Sequence, residues 1–183
     1  MKRLLALLVG LLIIGATAGI AGAQPIGNRQ IKPQDAGGYW TVWKVESVSY
    51  LGEYFDPSLT SCASTAPEGG VAGDYVVCRN TVTVSNRYYG ELKVSIDTLS
   101  ASVGFDVTQS FSQTAGYNAI VQYDGQYVEI FHGNVYDKYK VIQRLYEHID
   151  GKDYPVSYVD PVPVYALKWK RFYYYVYRRD GAS

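Results

Sequence analysis

The stretch over residues 99–123 constrains the fold of this 183-residue chain most, because it keeps one period-two pattern over 25 positions. Its odd-numbered positions are apolar or aromatic except Gln109 and Gln113, and its even-numbered positions other than Ile120 are small or polar. Such alternation places the two sets on opposite faces of an extended chain. Strands in globular proteins usually run about 3 to 10 residues, so the pattern predicts either one very long, bent strand or two strands of a hairpin.

A second alternating run precedes this stretch in the opposite phase. Leu92, Val94 and Ile96 occupy even-numbered positions, so the phase changes at Asp97 and Thr98. A shift of one residue turns every side chain to the other face of a sheet. The sequence therefore predicts a β-bulge, or a short turn led by Asp97, at this point.

The rest of the chain also has the signals of strands and turns. Alternating runs rich in β-branched or aromatic residues cover 39–51, 74–85, 126–131 and 165–177. Residues 52–73 are rich in Pro, Gly and Ser and are predicted to form a loop. Asp124-Gly125 predicts a hairpin, and His132-Gly133-Asn134 predicts a turn. We therefore predict an all-β fold, in which roughly six to eight antiparallel strands form an elongated sheet or a sandwich with long amphipathic strands.

The first residues have the three parts of a secretory signal peptide. Met1-Lys2-Arg3 supplies a positive start, residues 4–14 form a short apolar core, and Ala21-Gly22-Ala23 forms a small-residue cleavage site. A membrane anchor, the alternative, needs roughly 20 uninterrupted apolar residues, whereas Gly, Ala and Thr interrupt the region after Ile14. We therefore predict a secreted, extracellular protein with residues 1–23 as its signal peptide.

The length and charge of the mature chain limit its domain number and its partners. Cleavage after residue 23 leaves 160 of the 183 residues, enough for one domain with a real core. Residues 24–38 lack periodicity and contain several Pro and Gly, so we predict a linker there and a single β domain over 39–183. The chain has 17 basic and 17 acidic side chains, and removal of Lys2 and Arg3 leaves 15 against 17, a net charge near −2. This balance, together with export, predicts no nucleic-acid partner.

The two cysteines, Cys62 and Cys78, predict a disulfide. An even number of cysteines in an exported protein favours a bridge. This bridge would close a loop of about 15 residues and stabilise the fold by roughly 3 kcal/mol in the chain-entropy model. The alternative is a zinc site completed by His132 and His148, but their spacing matches no finger pattern. We expect neither a metal nor a cofactor.

The sequence contains no recognisable catalytic constellation. Nucleophilic catalysis needs an activated Ser or Cys beside a base, and the chain has only two histidines and no Gly-x-Ser-x-Gly elbow. Its acidic side chains flank turns, where solvated loop charges are the simplest interpretation. We therefore predict a protein that is not an enzyme.

Residues 168–179 interleave five cations with aromatic rings, and tyrosine is the compositional outlier of the chain, with 19 residues. Tyr suits positions that have one wet end and one apolar end. This segment is either a site for an anionic polymer, a sugar or a lipid headgroup, or an edge strand that Lys and Arg protect from aggregation. In the first case the ligand-binding residues would be Trp169, Lys170, Arg171, Tyr173, Tyr175 and Tyr177.

Two resemblances bear on the alternating stretch. Its first ten residues, Leu-Ser-Ala-Ser-Val-Gly-Phe-Asp-Val-Thr, continue into Gln109-Ser110-Phe111-Ser112 and Gly116-Tyr117-Asn118. This run resembles a motif of uncharacterised secreted β-rich proteins of Gram-positive bacteria, over residues 76–141. That family has no assigned activity, so the resemblance implies export and β structure, and the chain departs from its pattern from Lys152 onward.

The second resemblance is to aerolysin-type β-pore-forming toxins, in which long Ser/Thr-rich strands frame an amphipathic insertion hairpin. If the stretch folded about residues 109–113, each arm would have about the 9 to 11 residues of a membrane-spanning strand, with one apolar face. The resemblance implies a homo-oligomeric pore. Its membrane-inserting face would comprise Leu99, Ala101, Val103, Phe105, Val107, Phe111, Ala115, Tyr117, Ala119 and Val121.

The sequence thus leaves two functions open. The first is a secreted, non-enzymatic β module that binds a cell-surface glycan, an envelope polymer or a lipid surface through Tyr and Trp. The second is an aerolysin-like protein with a membrane-inserting hairpin. Half-buried sheets of soluble proteins alternate in the same way as membrane strands, so the pattern alone does not separate the two.

Overall fold

The computed structural model describes residues 39–180, all of which belong to one compact unit, Gln34–Ser183. They form eight strands and one short helix, and the strands pair in antiparallel sheets. The prediction of an all-β fold is confirmed. The predicted signal peptide and linker lie outside the described residues.

The strands differ widely in length. The longest has 24 residues, which at about 3.3 Å per residue spans roughly 80 Å. In chain order the elements are β1 (Trp40–Phe55), β2 (Thr60–Ser64), β3 (Tyr75–Ser85), β4 (Arg87–Gly90), α1 (Ile96–Val103), β5 (Ser110–Ile120), β6 (Gln126–Ile149), β7 (Lys152–Pro155) and β8 (Val162–Asp180).

The long strand β6 is the centre of a six-stranded sheet because it pairs along both edges. On one edge, β1 pairs with residues 135–148 of β6 and β2 with residues 129–132. On the other edge, β8 pairs with residues 126–143 and β7 with residues 146–149. β4 then pairs with the outer edge of β8. Part of the predicted 52–73 loop is therefore strand, in β1 and β2.

The turn predicted at His132-Gly133-Asn134 is wrong, since β6 runs through these residues. Strands on both sides provide hydrogen-bond partners for its backbone, which favours continuation of the strand. Gly133 is required for close approach and not for a turn: a Cβ there would collide with the ring of Tyr173. Asp124-Gly125 does form a tight turn, but it joins strands of different sheets and not the two strands of a hairpin.

β3 and β5 form a separate two-stranded sheet, here called the ladder. Eleven residues pair in register without a bulge, from Tyr75 with Ile120 to Ser85 with Ser110. Its inner side chains form a core with the six-stranded sheet, and the buried members of that core are Val76, Cys78, Ala115, Ala119, Val121, Val128 and Ile130.

The predicted disulfide is present and joins the two sheets. Cys62 of β2 and Cys78 of β3 are bonded, with their Cα atoms 5.4 Å apart. The backbone N–H of Gly116 also donates to the Tyr174 hydroxyl across the same interface, at 2.8 Å. The ladder is thus fixed to the larger sheet by a covalent link, an apolar core and a hydrogen bond.

Residues 99–123 do not form one strand or one hairpin. Residues 96–103 are helical, and β5 runs from Ser110 to Ile120, so no turn occurs at 109–113. The predicted bulge or turn at Asp97 and Thr98 is also wrong, because both residues lie in the first turn of α1. The predicted alternation occurs in strand conformation only in β5, where Ala115 and Ala119 are buried and Tyr117 is exposed.

Local signals explain the helix. The Ser95 side chain accepts a hydrogen bond from the Thr98 N–H as N-cap, and Asp97 lies in the first turn, where a negative charge is favourable. Gly104 ends the helix with a φ of 79°, a conformation that glycine adopts without strain. Leu99 and Val103, four residues apart, share one helical face and pack in a single apolar cluster.

Candidate membrane-inserting segment and aromatic surface

Residues 86–109 connect the two strands of the ladder and are here called the connecting segment. β4 at its start pairs with the edge of β8, and α1 in its middle contacts β1 and β6 of the six-stranded sheet. Residues 91–95 and 104–109 belong to no strand or helix. The segment thus leaves the ladder, lies against the other sheet and returns.

Most apolar side chains of the connecting segment are sheltered by the six-stranded sheet, whereas Ile96 is exposed. Val94, Leu99 and Val107 are buried, and Leu92, Val103 and Phe105 are partly buried in the same cluster. The sheet contributes Trp43, Val45, Tyr139, Val141, Val164 and Ala166. Ala101, which belongs to the predicted inserting face, is exposed on α1. The inserting face predicted within residues 99–107 is therefore mostly turned toward protein in this state.

Polar contacts hold the two ends of the segment together. Asn86 is buried, and its Nδ2 donates to the Asp106 carbonyl oxygen at 2.8 Å. Its Oδ1 accepts the backbone N–H of Trp169 at 2.8 Å, and its own N–H donates to the Gln109 carbonyl oxygen at 2.9 Å. The chain therefore enters and leaves the segment at one point, where the ladder ends.

An ion pair fixes the next residue. Arg87 lies 2.6 Å from the carboxylate of Asp56. Burial alone would raise the pKa of Asp56, but hydrogen bonds from the Ser58 backbone N–H and from Arg87 together hold it below its ordinary value. Asp56 is therefore ionised at neutral pH and attracts Arg87.

The register of the ladder can be continued into the connecting segment. Continued past Ser85 and Ser110 without a slip, it pairs residue 92 with 103, 94 with 101 and 96 with 99. Asp97 and Thr98 then form a two-residue loop, which is among the commonest hairpin lengths. Each arm has 11 residues, 86–96 and 99–109.

Such a hairpin would be amphipathic across both arms. One face would carry all four charged residues of the arms, Arg87, Glu91, Lys93 and Asp106, together with Ser and Thr side chains. The sequence pattern assigned the phase change at residues 97–98 to a bulge or a short turn. A two-residue loop at this point has the same effect, because it places the even-numbered apolar residues of the first arm and the odd-numbered apolar residues of the second arm on one face. The other face would carry Tyr88, Leu92, Val94, Ile96, Leu99, Ala101, Val103, Phe105 and Val107, with Gly90 between them and the Asn86–Gln109 pair next to the ladder, while Tyr89 would lie on the charged face.

A second candidate site is formed by aromatic rings from β1, β6 and β8 and is here called the aromatic surface. Three ring pairs build it, with centroids 5.5 to 6.4 Å apart, namely Phe55–Tyr173, Phe131–Tyr175 and Tyr127–Tyr177. Phe55 and Tyr175 each remain 51% exposed. Arg171 lies over the Phe55 ring and Arg179 over the Tyr127 ring, at 5.8 and 4.4 Å. The surface therefore offers rings and cations to solvent.

Not all of the predicted ligand-binding residues belong to this surface. Tyr173, Tyr175, Tyr177 and Arg171 belong to the aromatic surface, although the Tyr173 hydroxyl donates to the Asp56 carbonyl oxygen at 2.6 Å. Lys170 forms salt bridges at its border. Its ammonium lies 3.0 Å from carboxylate oxygens of Glu53 and Asp137, and these partners, Glu53 first, raise the pKa of Lys170.

Trp169 does not belong to the aromatic surface. Its ring packs between Phe111 and Phe172, at 5.4 and 5.3 Å, and its Nε1–H donates to the Asn134 side chain. The outer edge of residues 168–180 pairs with no described strand, as the edge-strand alternative for this segment expects, whereas residues 164–167 of β8 pair with β4. The sequence pattern missed Phe55 because it assigned that residue to a loop.

One buried histidine has no polar partner. Both ring nitrogens of His132 lack a hydrogen bond within the described residues, and the ring packs against Phe172 at 5.1 Å. Burial lowers the pKa of His132. The imidazole is therefore neutral at physiological pH, which suits a packing role better than an acid–base role.

Two absences among the described residues bear on the possible chemistry. Among residues 39–180, no three His, Cys, Asp or Glu side chains are grouped so that they could hold a metal ion. In the same range, no helix is long and apolar enough to cross a membrane.

Comparison with known protein families and with curated proteins gives no match.

Proposed function

We propose that this protein is secreted and acts on lipid membranes, by extending the ladder into a membrane-spanning β-hairpin over residues 86–109. The observation that carries the proposal is the uninterrupted register of β3 and β5, which, if continued, sorts apolar and charged side chains to opposite faces. The arms of 11 residues match the roughly 9 to 11 residues of a tilted membrane strand. The disulfide is compatible with an extracellular location.

In the proposed change, the apolar side chains of the connecting segment leave the six-stranded sheet and enter lipid. β4 would leave β8, α1 would unwind, and the apolar cluster would move from the six-stranded sheet to lipid. In a bilayer every backbone N–H and C=O group needs a partner, and a lone hairpin leaves its two outer edges unpaired. The inserted state therefore requires several copies of the chain whose hairpins pair side by side, so the active form is a homo-oligomer.

This proposal moves the hairpin relative to the sequence hypothesis. The arms are residues 86–96 and 99–109, and the loop is at residues 97–98 and not at 109–113. Leu99, Ala101, Val103, Phe105 and Val107 remain on the inserting face. The four later members of the predicted face, Phe111, Ala115, Tyr117 and Ala119, lie in β5, and Val121 follows it; all five stay with the ladder.

A matched pair of substitutions tests the hairpin. In α1, Ser102 and Val103 are neighbours and both are half-buried, but in the hairpin Val103 would face lipid and Ser102 would not. An arginine on the lipid face near the bilayer midplane costs about 2 to 4 kcal/mol per copy. We expect Val103→Arg to reduce dye release from liposomes at least about tenfold, while Ser102→Arg stays within about threefold of the unchanged chain.

Damage to the docked segment cannot imitate this result. A substitution that only loosens α1 makes extension easier and should raise dye release, whereas the proposal predicts a fall. Circular dichroism of each variant checks that the sheets remain folded. Equal effects of the two substitutions, or no dye release by the unchanged protein from any liposome composition, would contradict the hairpin.

A second candidate function is binding of a cell-surface glycan, an envelope polymer or a lipid headgroup by the aromatic surface. The exposure of Tyr175 and Tyr177 next to cationic side chains favours it, since aromatic rings provide contact area at low entropic cost. Tyr175→Ala combined with Tyr177→Ala should weaken co-sedimentation with the target, and Tyr158→Ala, an exposed tyrosine elsewhere, should not. Co-sedimentation with polymer or liposomes without dye release would favour this function over the hairpin.

A further inference from the structure

The buried side chain of Gln143 contacts the connecting segment in an unusual way. Gln143 lies on β6 and is 0% exposed, in the same strand as Val141 of the apolar cluster. A primary amide has two donor hydrogens and two acceptor lone pairs, and burial makes each unmet one costly. The partners of this amide therefore identify what the position is built to hold.

All the hydrogen-bonding capacity of the Gln143 amide is used, and most of it goes to one short stretch of backbone. Its Oε1 accepts the N–H groups of Lys93 and Val94, at 2.7 and 3.0 Å. Its Nε2 donates to the Glu91 carbonyl oxygen at 3.0 Å and to the Val162 carbonyl oxygen at 3.3 Å. Three of the four bonds thus end on residues 91–94, and the fourth joins them to β8.

Residues 91–94 depend on this amide because they belong to no strand or helix. Gln143 supplies to their backbone what a neighbouring strand would supply in a sheet. In the continued register of the ladder, the second arm would pair with this same stretch. The side chain and the hairpin therefore compete for one set of backbone groups.

We propose that Gln143 is the latch of the connecting segment: its amide holds residues 91–94 on the six-stranded sheet, and breaking these bonds frees the first arm. Departure of the segment leaves a buried amide without three of its partners, so the docked state is favoured until another contact compensates. The consequence for membranes rests on the proposed function, whereas the latch itself does not.

A second buried glutamine on the same strand provides a matched control. Gln126 of β6 is 3% exposed, and its Oε1 accepts the Gln122 N–H at 2.8 Å. It makes no hydrogen bond to the connecting segment. Gln143→Met and Gln126→Met each replace a buried amide by an apolar side chain of similar length, but only the first removes the latch.

Amide hydrogen exchange measured by NMR on the full chain tests the latch directly. We expect the N–H groups of Lys93 and Val94 to exchange about tenfold faster or more in Gln143→Met, because two hydrogen bonds to a buried acceptor are lost. The same groups should keep their protection in Gln126→Met. The amides of the ladder should keep theirs in both variants, which shows that the sheets stay folded.

The outcomes separate the latch from the proposed function. Faster exchange at Lys93 and Val94 together with faster dye release supports both. Faster exchange with no dye release by either protein supports the latch and overturns the membrane function. Unchanged exchange at these two amides overturns the latch, whatever the liposomes show. If Gln143→Met fails to fold, hydrogen exchange of the unsubstituted protein still tests the latch. Exchange of the Lys93 and Val94 amides at the rates of an unprotected loop would overturn it.

Discussion

The ladder and the connecting segment have the same alternation of side chains but different structures. In the ladder, β3 and β5 pair with each other over 11 residues, and the alternation sorts side chains between a core and solvent. The connecting segment continues both strands in the sequence, yet it contains a four-residue strand, a helix and irregular chain. Alternation therefore specifies which side chains share a face, whereas the available partner decides whether a strand forms.

The two regions also depend on different contacts. The ladder has its own backbone pairing and a disulfide to β2. α1 has eight residues, fewer than the roughly 12 to 15 that an isolated helix needs to be even marginal in water. It is therefore maintained by its caps and by the apolar cluster, so the segment should detach before the ladder melts. Substitutions that act on one region at a time test this difference, and the largest effect is expected at the centre of the apolar cluster.

Leu99→Ala should loosen the connecting segment and spare the ladder. Leu99 is fully buried in the apolar cluster, and truncation of a buried leucine to alanine costs about 2 to 5 kcal/mol. Hydrogen exchange should accelerate over α1 and not over β3 and β5. Ile96→Ala, at an exposed position of the same helix, is the control and should change little. Simultaneous loss of protection in both regions would mean that they unfold as one unit.

Removal of the disulfide should accelerate hydrogen exchange in the ladder and spare α1. The Cys62–Cys78 bridge spans 16 residues, so its loss costs about 3 kcal/mol. For a domain of this size that corresponds to a fall of roughly 6 to 12 °C in Tm. Cys62→Ala combined with Cys78→Ala, or reduction of the unchanged protein, should accelerate exchange mainly in the ladder. Faster exchange confined to α1 would contradict the assignment of the bridge to the ladder.

The sequence predicted the fold class and the disulfide but not the path of the connecting segment. Leu99 and Val103 are four residues apart, a spacing that keeps two side chains on one face of a strand and also on one face of a helix. The pattern at these positions therefore fits both structures. Ser95 and Gly104 were the signals that could have identified the helix, because they stand where an N-cap and a left-handed C-cap residue are needed.

The position of the aromatic residues of β8 could be predicted only in part from the sequence. Interleaved rings and cations in β8 predicted a binding site that includes Tyr175 and Tyr177, and both side chains are exposed in the structure. Trp169 was predicted to belong to the same site, but its ring packs against Phe111 and Phe172 and not with the rings of the aromatic surface. The register of β8 on β6 shifts between Arg171 and Trp169, and an irregularity of this kind cannot be located from one strand alone.

The helix caps provide a smaller test of the same comparison. Ser95→Ala removes the N-cap hydrogen bond, which costs about 1 kcal/mol, and Gly104→Ala places a side chain at a φ of 79°, which costs about 1 to 2 kcal/mol. Neither change harms an extended hairpin, so Ser95→Ala should raise the rate of dye release by about fivefold and Gly104→Ala by about five- to 25-fold, as 1.4 kcal/mol corresponds to tenfold. Ser112→Ala, at an exposed position of β5, should leave the rate unchanged. Slower release by both cap variants would indicate that α1 takes part in insertion.

Acidification should destabilise the ladder side of the molecule through His132. Burial lowers the pKa of His132 in the folded state below its unfolded value near 6.5, so the unfolded chain binds more protons between the two values. Stability is therefore fully present above pH of about 6.5 and declines as the pH falls through this window. One imidazole contributes at most one proton, which limits the slope to about 1.4 kcal/mol per pH unit.

His132→Leu should abolish this part of the pH dependence of unfolding, as measured by denaturant titration at pH 7.5 and 5. Because the His132 ring packs against Phe172, a residue of the core beneath the ladder, the lost protection should appear in β3 and β5 and not at α1, and the reverse order would contradict the separation of the two regions.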